Sequence, residues 1–125
     1  MTEQEFKRRT KALALEVIKF VDELPRSRSA DVLTGQLLRS ATAVAANYRS
    51  ACRAKSVADM ISKLATVEEE ADESGFWMEL LVDSGKAKVQ RLAALRREAE
   101  EILAMTVASI KTLRRKTYTG SRAGI

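Results

Sequence analysis

The feature that most constrains the fold of this chain is an apolar stripe with helical spacing, which appears four times along its 125 residues. Within each segment apolar residues recur every three or four positions, and that spacing places them on one face of an α-helix. The first stripe runs from Phe6 to Leu24, and the other three are centred near Val44, Ala71 and Ile102. The pattern therefore predicts four amphipathic helices.

Short polar breaks separate the four segments. Pro25 is disfavoured inside a helix, so it ends the first segment. Ser56 with Asp59 predicts a capping box at the start of the third helix, and Gly85 suits a left-handed cap at its end. Because short connections make successive helices neighbours, we predict an all-α, antiparallel up-down-up-down four-helix bundle over residues 1–118. Residues 119–125 are expected to form a flexible tail.

Composition agrees with one helical domain. Hydrophobic residues make up 46% of the chain and aromatic residues only 5%, with a single proline, and this balance favours helices over strands. The one cysteine, Cys52, suits a reducing compartment. No apolar run approaches the roughly 18 to 20 residues that a membrane span requires. We therefore expect a cytoplasmic protein with no membrane partner.

Five carboxylates lie between Glu68 and Glu73, in the stretch "EEEADE", and they raise the question of a metal or acid/base site. At about 100° per residue, Glu69 and Glu73 point nearly opposite to the core stripe, and Glu68 and Asp72 lie on one flank. The chain has no histidine, which carboxylate-bridged metal bundles normally supply. We therefore expect a solvated or intersubunit charged face, with no metal, no cofactor and no catalytic residue.

The second half of the third segment is apolar nearly all round. Phe76 and Leu80 fall on the side of Glu69 and Glu73, away from the core stripe, and Trp77 lies at the edge of that stripe. Contiguous exposed apolar residues tend to mark protein interfaces. These five residues are our candidate oligomer interface. In the alternative, Trp77 covers the end of the bundle and Phe76 is an isolated surface aromatic.

Basic residues concentrate where the predicted topology brings the start of the first helix, the second connection and the end of the fourth helix together. Eleven basic side chains face only three acidic ones there, whereas the whole chain carries a net charge of +5. Such a surface attracts the phosphates of RNA or DNA without reading sequence; alternatively, it is a solvated end that aids solubility. We call this set the basic end, and it comprises Lys7, Arg8, Arg9, Lys11, Arg49, Arg53, Lys55, Lys111, Arg114, Arg115 and Lys116.

Two stretches resemble a known family. They are "LTGQLLRSATAVAANYRSACRAKS", with its Leu-Thr-x-Gln-Leu opening at residues 33–37 and its Ala46-Asn47 pair, and the Glu-rich run before Trp77. They are similar to the bacterial four-helix bundle proteins first met as intervening-sequence proteins encoded within large-subunit ribosomal RNA genes. Many members continue after the asparagine with Ile-Ala-Glu-Gly, whereas this chain has Tyr-Arg-Ser-Ala at residues 48–51, which indicates a subgroup.

The resemblance implies a small antiparallel bundle, ring-like homopentamers and no established enzymatic activity. A relative of similar fold serves as an accessory protein to reverse transcriptases in diversity-generating retroelements, which implies nucleic-acid and protein partners. Two classes of function stay open. One is a non-enzymatic oligomeric scaffold that binds RNA or a ribonucleoprotein through the basic end, and the other is a protein-interaction module without a nucleic-acid role. An enzyme is disfavoured because the chain lacks histidine, a glycine-rich phosphate loop and an activated nucleophile.

Overall fold

The chain folds into four helices joined by short connections. A computed structural model describes the backbone of residues 1–123 and the side chains of residues 1–117, and its secondary structure over that part of the chain contains no strand. The all-α prediction is therefore confirmed. The helices are α1 (Glu3–Glu23), α2 (Arg28–Ala51), α3 (Val57–Asp83) and α4 (Val89–Ala123).

Helices α2 and α3 each start with a side-chain cap. Ser27 accepts a hydrogen bond from the N–H of Ala30 at the start of α2, and Ser56 accepts one from Asp59 at the start of α3. The Asp59 carboxylate in turn accepts from the N–H of Lys55 at 3.1 Å. At the end of α3, Gly85 has φ of +77°, the left-handed conformation that glycine adopts without strain. The predicted N-cap Ser56 and the Gly85 cap of α3 are confirmed, but the capping box is not completed, because Asp59 accepts from Lys55 and not from the N–H of Ser56.

A capping box at the start of α1 was not predicted. The Thr2 hydroxyl accepts from the Glu5 N–H at 3.1 Å, and the Glu5 carboxylate accepts from the Thr2 N–H at 3.3 Å. The Thr-x-x-Glu spacing at residues 2–5 is the sequence signal that could have shown it.

The predicted stripes form one core. Val17, Val44, Val67 and Ile102 are each fully buried, one from each helix. Where hydroxyls enter the core they are satisfied: Ser74 donates to Ser40 across the α2–α3 contact at 3.0 Å. Small residues at that contact let the two helices approach closely.

Helix α2 packs extensively on α3, α3 on α4 and α1 on α2, while the contact between α1 and α4 is the least extensive of the four. Aromatic stacking of Phe6 on Tyr48, with centroids 4.3 Å apart, joins the start of α1 to the end of α2. Arg91 binds Glu23, which joins the start of α4 to the end of α1. The α1–α4 contact thus depends on polar pairs more than the others do.

Helix α4 continues to Ala123, past the domain boundary at residue 118 that the sequence suggests. The side chains of residues 118–125 and the backbone of residues 124–125 lie outside the described residues. The flexibility predicted for residues 119–125 therefore stays a prediction. None of the helices in the described part of the chain combines the length and the hydropathy needed to cross a bilayer.

Candidate nucleic-acid interface

The carboxylates of "EEEADE" lie on α3 and do not form a joint ligand set. Glu69 and Asp72 are exposed, whereas Glu70 and Glu73 turn toward α2. Within the part of the chain that the structure describes, no group of three or more His, Cys, Asp or Glu side chains is arranged to hold a metal ion.

Arg39 of α2 is the partner that sequence reasoning missed. Its guanidinium donates to Glu70 at 3.1 Å and also binds Glu73, and the Trp77 indole N–H donates to Glu73 at 3.2 Å. Hydrogen bonding to Glu73 raises the pKa of Arg39. We call Arg39, Glu70 and Glu73 the α2–α3 network. Glu73, assigned from the sequence to an intersubunit interface, is therefore engaged within its own chain.

A second cluster involves Arg9, which the sequence analysis placed in the basic end. Rather than facing outward with the basic end, Arg9 is half-buried: its Nε donates to Glu98 at 2.9 Å and its Nη2 donates to Glu101 at 2.7 Å. These bonds raise the pKa of Arg9, and the Arg9 hydrogen bond holds the pKa of Glu98 below its usual value. We call Arg9, Glu98 and Glu101 the α1–α4 network. Only the packing of α4 on α1 shows which way the Arg9 side chain turns.

The other ten residues of the basic end are exposed. Lys7 lies 3.8 Å from Glu3, and within residues 1–117 the remaining nine make no side-chain ion pair. The nine are Arg8, Lys11, Arg49, Arg53, Lys55, Lys111, Arg114, Arg115 and Lys116.

The three acidic residues of this region already have partners. Glu3 pairs with Lys7, Glu5 caps α1, and Asp59 pairs with Lys63 at 3.3 Å. The Lys55 N–H, followed by Lys63, lowers the pKa of Asp59. Lys63 is a basic residue of this region that the sequence analysis did not include, although its spacing of four from Asp59 was a usable signal. Among residues 1–117, these acids therefore leave the nine basic side chains uncompensated.

Three basic residues meet across two helices. Lys7 and Lys11 of α1 and Arg49 of α2 line a depression of about 480 Å³, together with Thr10, Ala45 and Ala46. We call it the α1–α2 depression. Arg53, Lys111 and residues 114–116 are each exposed.

Tyr48 and Cys52 lie at the end of α2, close to Arg49 and Arg53 of the basic end, and they are buried and half-buried, respectively. Burial raises the pKa of the Tyr48 hydroxyl and that of the Cys52 thiol. A thiol with a raised pKa is mostly protonated near neutral pH and is a poor nucleophile. The geometry therefore gives Cys52 no catalytic activation.

The candidate oligomer interface divides into exposed and packed members. Phe76 is 48% exposed, whereas Trp77 and Leu80 are half-buried, and Trp77 packs on the core. The Phe76 and Trp77 rings are in edge contact, with centroids 5.1 Å apart. Glu69 is exposed beside them. Phe76 is thus the main apolar group that remains open on this face.

Comparison with known proteins identifies the fold's relatives. A family model described as the 23S rRNA-intervening sequence protein matches residues 2–108. The chain is also similar to a crystal structure of a protein with unknown function from the S23 ribosomal protein family of Bacteroides thetaiotaomicron. The two share 29% sequence identity over 89% of this chain and 99% of that one, with a TM-score of 0.82. No functionally curated protein matches the chain. The four core stripes and the caps at the predicted positions agree with this family match, which covers most of the chain. The chain therefore belongs to the 23S rRNA-intervening sequence protein family.

Proposed function

We propose that this protein is a non-enzymatic binding protein that holds RNA, or a ribonucleoprotein, through the phosphates that meet its basic end. One observation carries the proposal: nine basic side chains there are exposed without a carboxylate partner among the described residues, whereas Arg9 and Arg39 are paired with carboxylates of a neighbouring helix. Uncompensated positive charge of this kind attracts a phosphate backbone. The single cysteine is in keeping with a cytoplasmic setting.

The proposal includes an antiparallel, up-down-up-down order of the helices, which would place all these residues at one end. It is supported by the stacking of Phe6 at the start of α1 on Tyr48 at the end of α2. The ion pairs between α1 and α4 also support an antiparallel order. Glu23 at the end of α1 pairs with Arg91 at the start of α4, whereas Arg9, near the start of α1, pairs with Glu98 further along α4. A connection of a few residues between each two helices agrees with this order.

Binding would depend on charge rather than on chemistry at a reacting centre. Lysines and arginines on long side chains donate to phosphate oxygens and displace condensed counterions, so affinity is high at low salt and insensitive to sequence. On α3, Arg39 holds Glu70 and Glu73, while Glu69 and Asp72 lie exposed, and burial raises the pKa of the Cys52 thiol. These arrangements support a binding role without catalysis.

The test is a titration of RNA binding against salt. We expect a labelled RNA of about 20 nucleotides to lose affinity steeply between about 50 and 200 mM salt. Replacing Arg114, Arg115 and Lys116 together with Gln should weaken binding to all sequences alike and lower the salt slope by about 0.7 per lost contact. Fluorescence anisotropy measures both quantities.

The matched control removes equal charge away from the basic end, by replacing Arg28, Lys86 and Lys88 with Gln. That variant should bind RNA nearly as well as the wild type. If the two triple variants lose affinity equally, or if neither does, the basic end is not the binding surface.

A second candidate role, assembly with proteins, is favoured by the exposed Phe76. We propose that the face formed by Phe76, Trp77, Leu80 and Glu69 contacts a second copy of the chain, in a closed ring for which the family resemblance suggests five subunits. If this were the only role, the protein would be an interaction module without nucleic acid, and RNA binding would not respond to the basic-end substitutions above.

Light scattering tests the assembly. The wild type should have a mass several times 13.8 kDa, and Phe76→Glu should shift it toward the monomer while helicity persists. Leu15→Glu is the control, because Leu15 is 55% exposed on α1 and lies outside this face. A wild type that stays monomeric at high micromolar concentration would contradict the interface.

A further inference from the structure

The α1–α2 depression differs from the rest of the basic end because it is concave and carries charge from two helices. Three of the six residues that line it are basic, and none is acidic. The nearest carboxylate interaction is the long Glu3–Lys7 contact of 3.8 Å, between side chains that are each about half exposed. An exposed pair of that length contributes little and exchanges readily with solvent or with another anion. The depression therefore presents three cations to whatever enters it.

Local packing explains why the depression stays open. Lys7 and Lys11 lie one turn apart on the same side of α1, so both side chains line the same space. Ala45 and Ala46 form the α2 wall, and their methyl groups leave room that larger side chains would fill. Thr10 is buried and its hydroxyl donates to the Lys7 carbonyl, so it needs no further partner.

The backbone around the depression is fixed before any ligand arrives. Phe6, one residue before Lys7, stacks on Tyr48, one residue before Arg49. Both rings are buried, so this contact sets the position of α1 against α2. Only the long side chains of Lys7, Lys11 and Arg49 have to order on binding, which limits the entropy cost.

Charge and shape together select the ligand. A phosphodiester within a strand carries one negative charge, whereas a terminal phosphate carries about 1.5 to 2 at neutral pH and offers three acceptor oxygens. Three neighbouring cations match the second group better, and an arginine can bind two of its oxygens at once. A concave space between helices also admits the end of a strand more readily than its continuous backbone.

We propose that the α1–α2 depression binds the terminal phosphate of a nucleic-acid strand, with Lys7, Lys11 and Arg49 as the phosphate ligands and the Ala45–Ala46 wall against the last nucleoside. This inference rests on the proposed function and specifies it: the basic end attracts the strand, and the depression binds the phosphate at its terminus.

The experiment compares one short RNA, about ten nucleotides long, with and without a terminal phosphate. The same sequence is prepared with a 5′-phosphate, a 3′-phosphate or hydroxyls at both ends, and binding to the full chain is measured by anisotropy at moderate salt. At least one phosphorylated form should bind about tenfold more tightly than the hydroxyl form, as is typical of added charge-assisted hydrogen bonds.

Variants assign the preference to the depression. Lys11→Gln and Arg49→Gln should each reduce it severalfold, and Ala46→Leu should reduce it without removing charge, because it fills the space. Lys19→Gln and Arg28→Gln remove exposed cations outside the depression and should keep the preference intact. Circular dichroism of each variant shows that the fold persists.

The outcomes separate the two proposals. Equal affinity for phosphorylated and hydroxyl RNA would overturn the terminal-phosphate site and leave backbone binding standing. No binding of any RNA even at low salt would overturn the proposed function and this inference with it. Inorganic phosphate that competes as well as a nucleoside monophosphate would also overturn the inference, since it would show a site for the free anion.

Discussion

Arg8 and Arg9 are adjacent on α1, and comparing them separates two regions of the molecule. Arg9 belongs to the α1–α4 network, where Glu98 and Glu101 neutralise it and only a quarter of its side chain is exposed. Arg8 belongs to the basic end, is exposed and has no ion pair within residues 1–117. The same residue type therefore joins helices in one region and leaves positive charge available in the other.

The difference follows from what each side chain faces. A half-buried guanidinium loses water and must regain hydrogen bonds from carboxylates, so the networks are part of the fold. An exposed guanidinium keeps its water, and its charge acts on ligands through the solvent. Substitutions in the two regions should accordingly affect different properties.

The largest effect is expected for reversing charge in the α1–α4 network. Arg9→Glu places a third carboxylate beside Glu98 and Glu101, which have lost their partner, and we expect the free energy of unfolding to fall by about 2 to 3 kcal/mol. Arg8→Glu, one residue away, should change it by less than about 0.5 kcal/mol. Urea unfolding followed by circular dichroism measures both.

Arg8 and Arg9 should also differ in what they contribute to RNA binding. Arg8→Gln should weaken binding, and Arg9→Gln should leave it nearly unchanged at temperatures where the variant is folded. A loss of binding in Arg9→Gln equal to that in Arg8→Gln would show that the two regions are not functionally distinct.

A smaller effect is expected in the α2–α3 network, because Arg39 is more exposed than Arg9. Arg39→Gln should lower the melting temperature by less than Arg9→Gln does. Since the Trp77 indole N–H bonds to Glu73, which Arg39 also holds, the emission of this single tryptophan should shift as well. Arg28→Gln is the control, and a Trp77 emission that responds equally to both variants would contradict the network.

The smallest expected effect is the loss of stabilisation by the Arg9–Glu98 pair at acidic pH. The Arg9 hydrogen bond holds the pKa of Glu98 below its ordinary value. Because the folded pKa is lower than the unfolded one, the pairing stabilises the fold above the unfolded value, and that stabilisation is lost as the pH falls through the folded pKa. The difference in urea midpoint between the wild type and Arg9→Gln should therefore shrink on acidification below about pH 4.5. A difference that is independent of pH would exclude this linkage.

Sequence reasoning located the fold more completely than the site. The stripes, the Pro25 break and the Ser56 and Gly85 caps are encoded by residues within a few positions of one another, so they could be predicted and are confirmed. The Arg39 pairs could not be predicted, because Glu70 and Glu73 lie more than thirty residues away along the chain. Membership of the family was visible in the Leu-Thr-x-Gln-Leu opening of α2 and in the Glu-rich run of α3.

The sequence by itself determined four helices, their caps, their buried faces and the abundance of positive charge, because each depends on local spacing and composition. Only the tertiary structure decided which charges stay free. It turned Arg9 inward to Glu98, gave Glu73 to Arg39, and brought Lys11 and Arg49 to one depression across two helices. Helical periodicity fixes the direction in which a side chain leaves its own helix, whereas its partner is set by the register between helices, which depends on how the whole core packs.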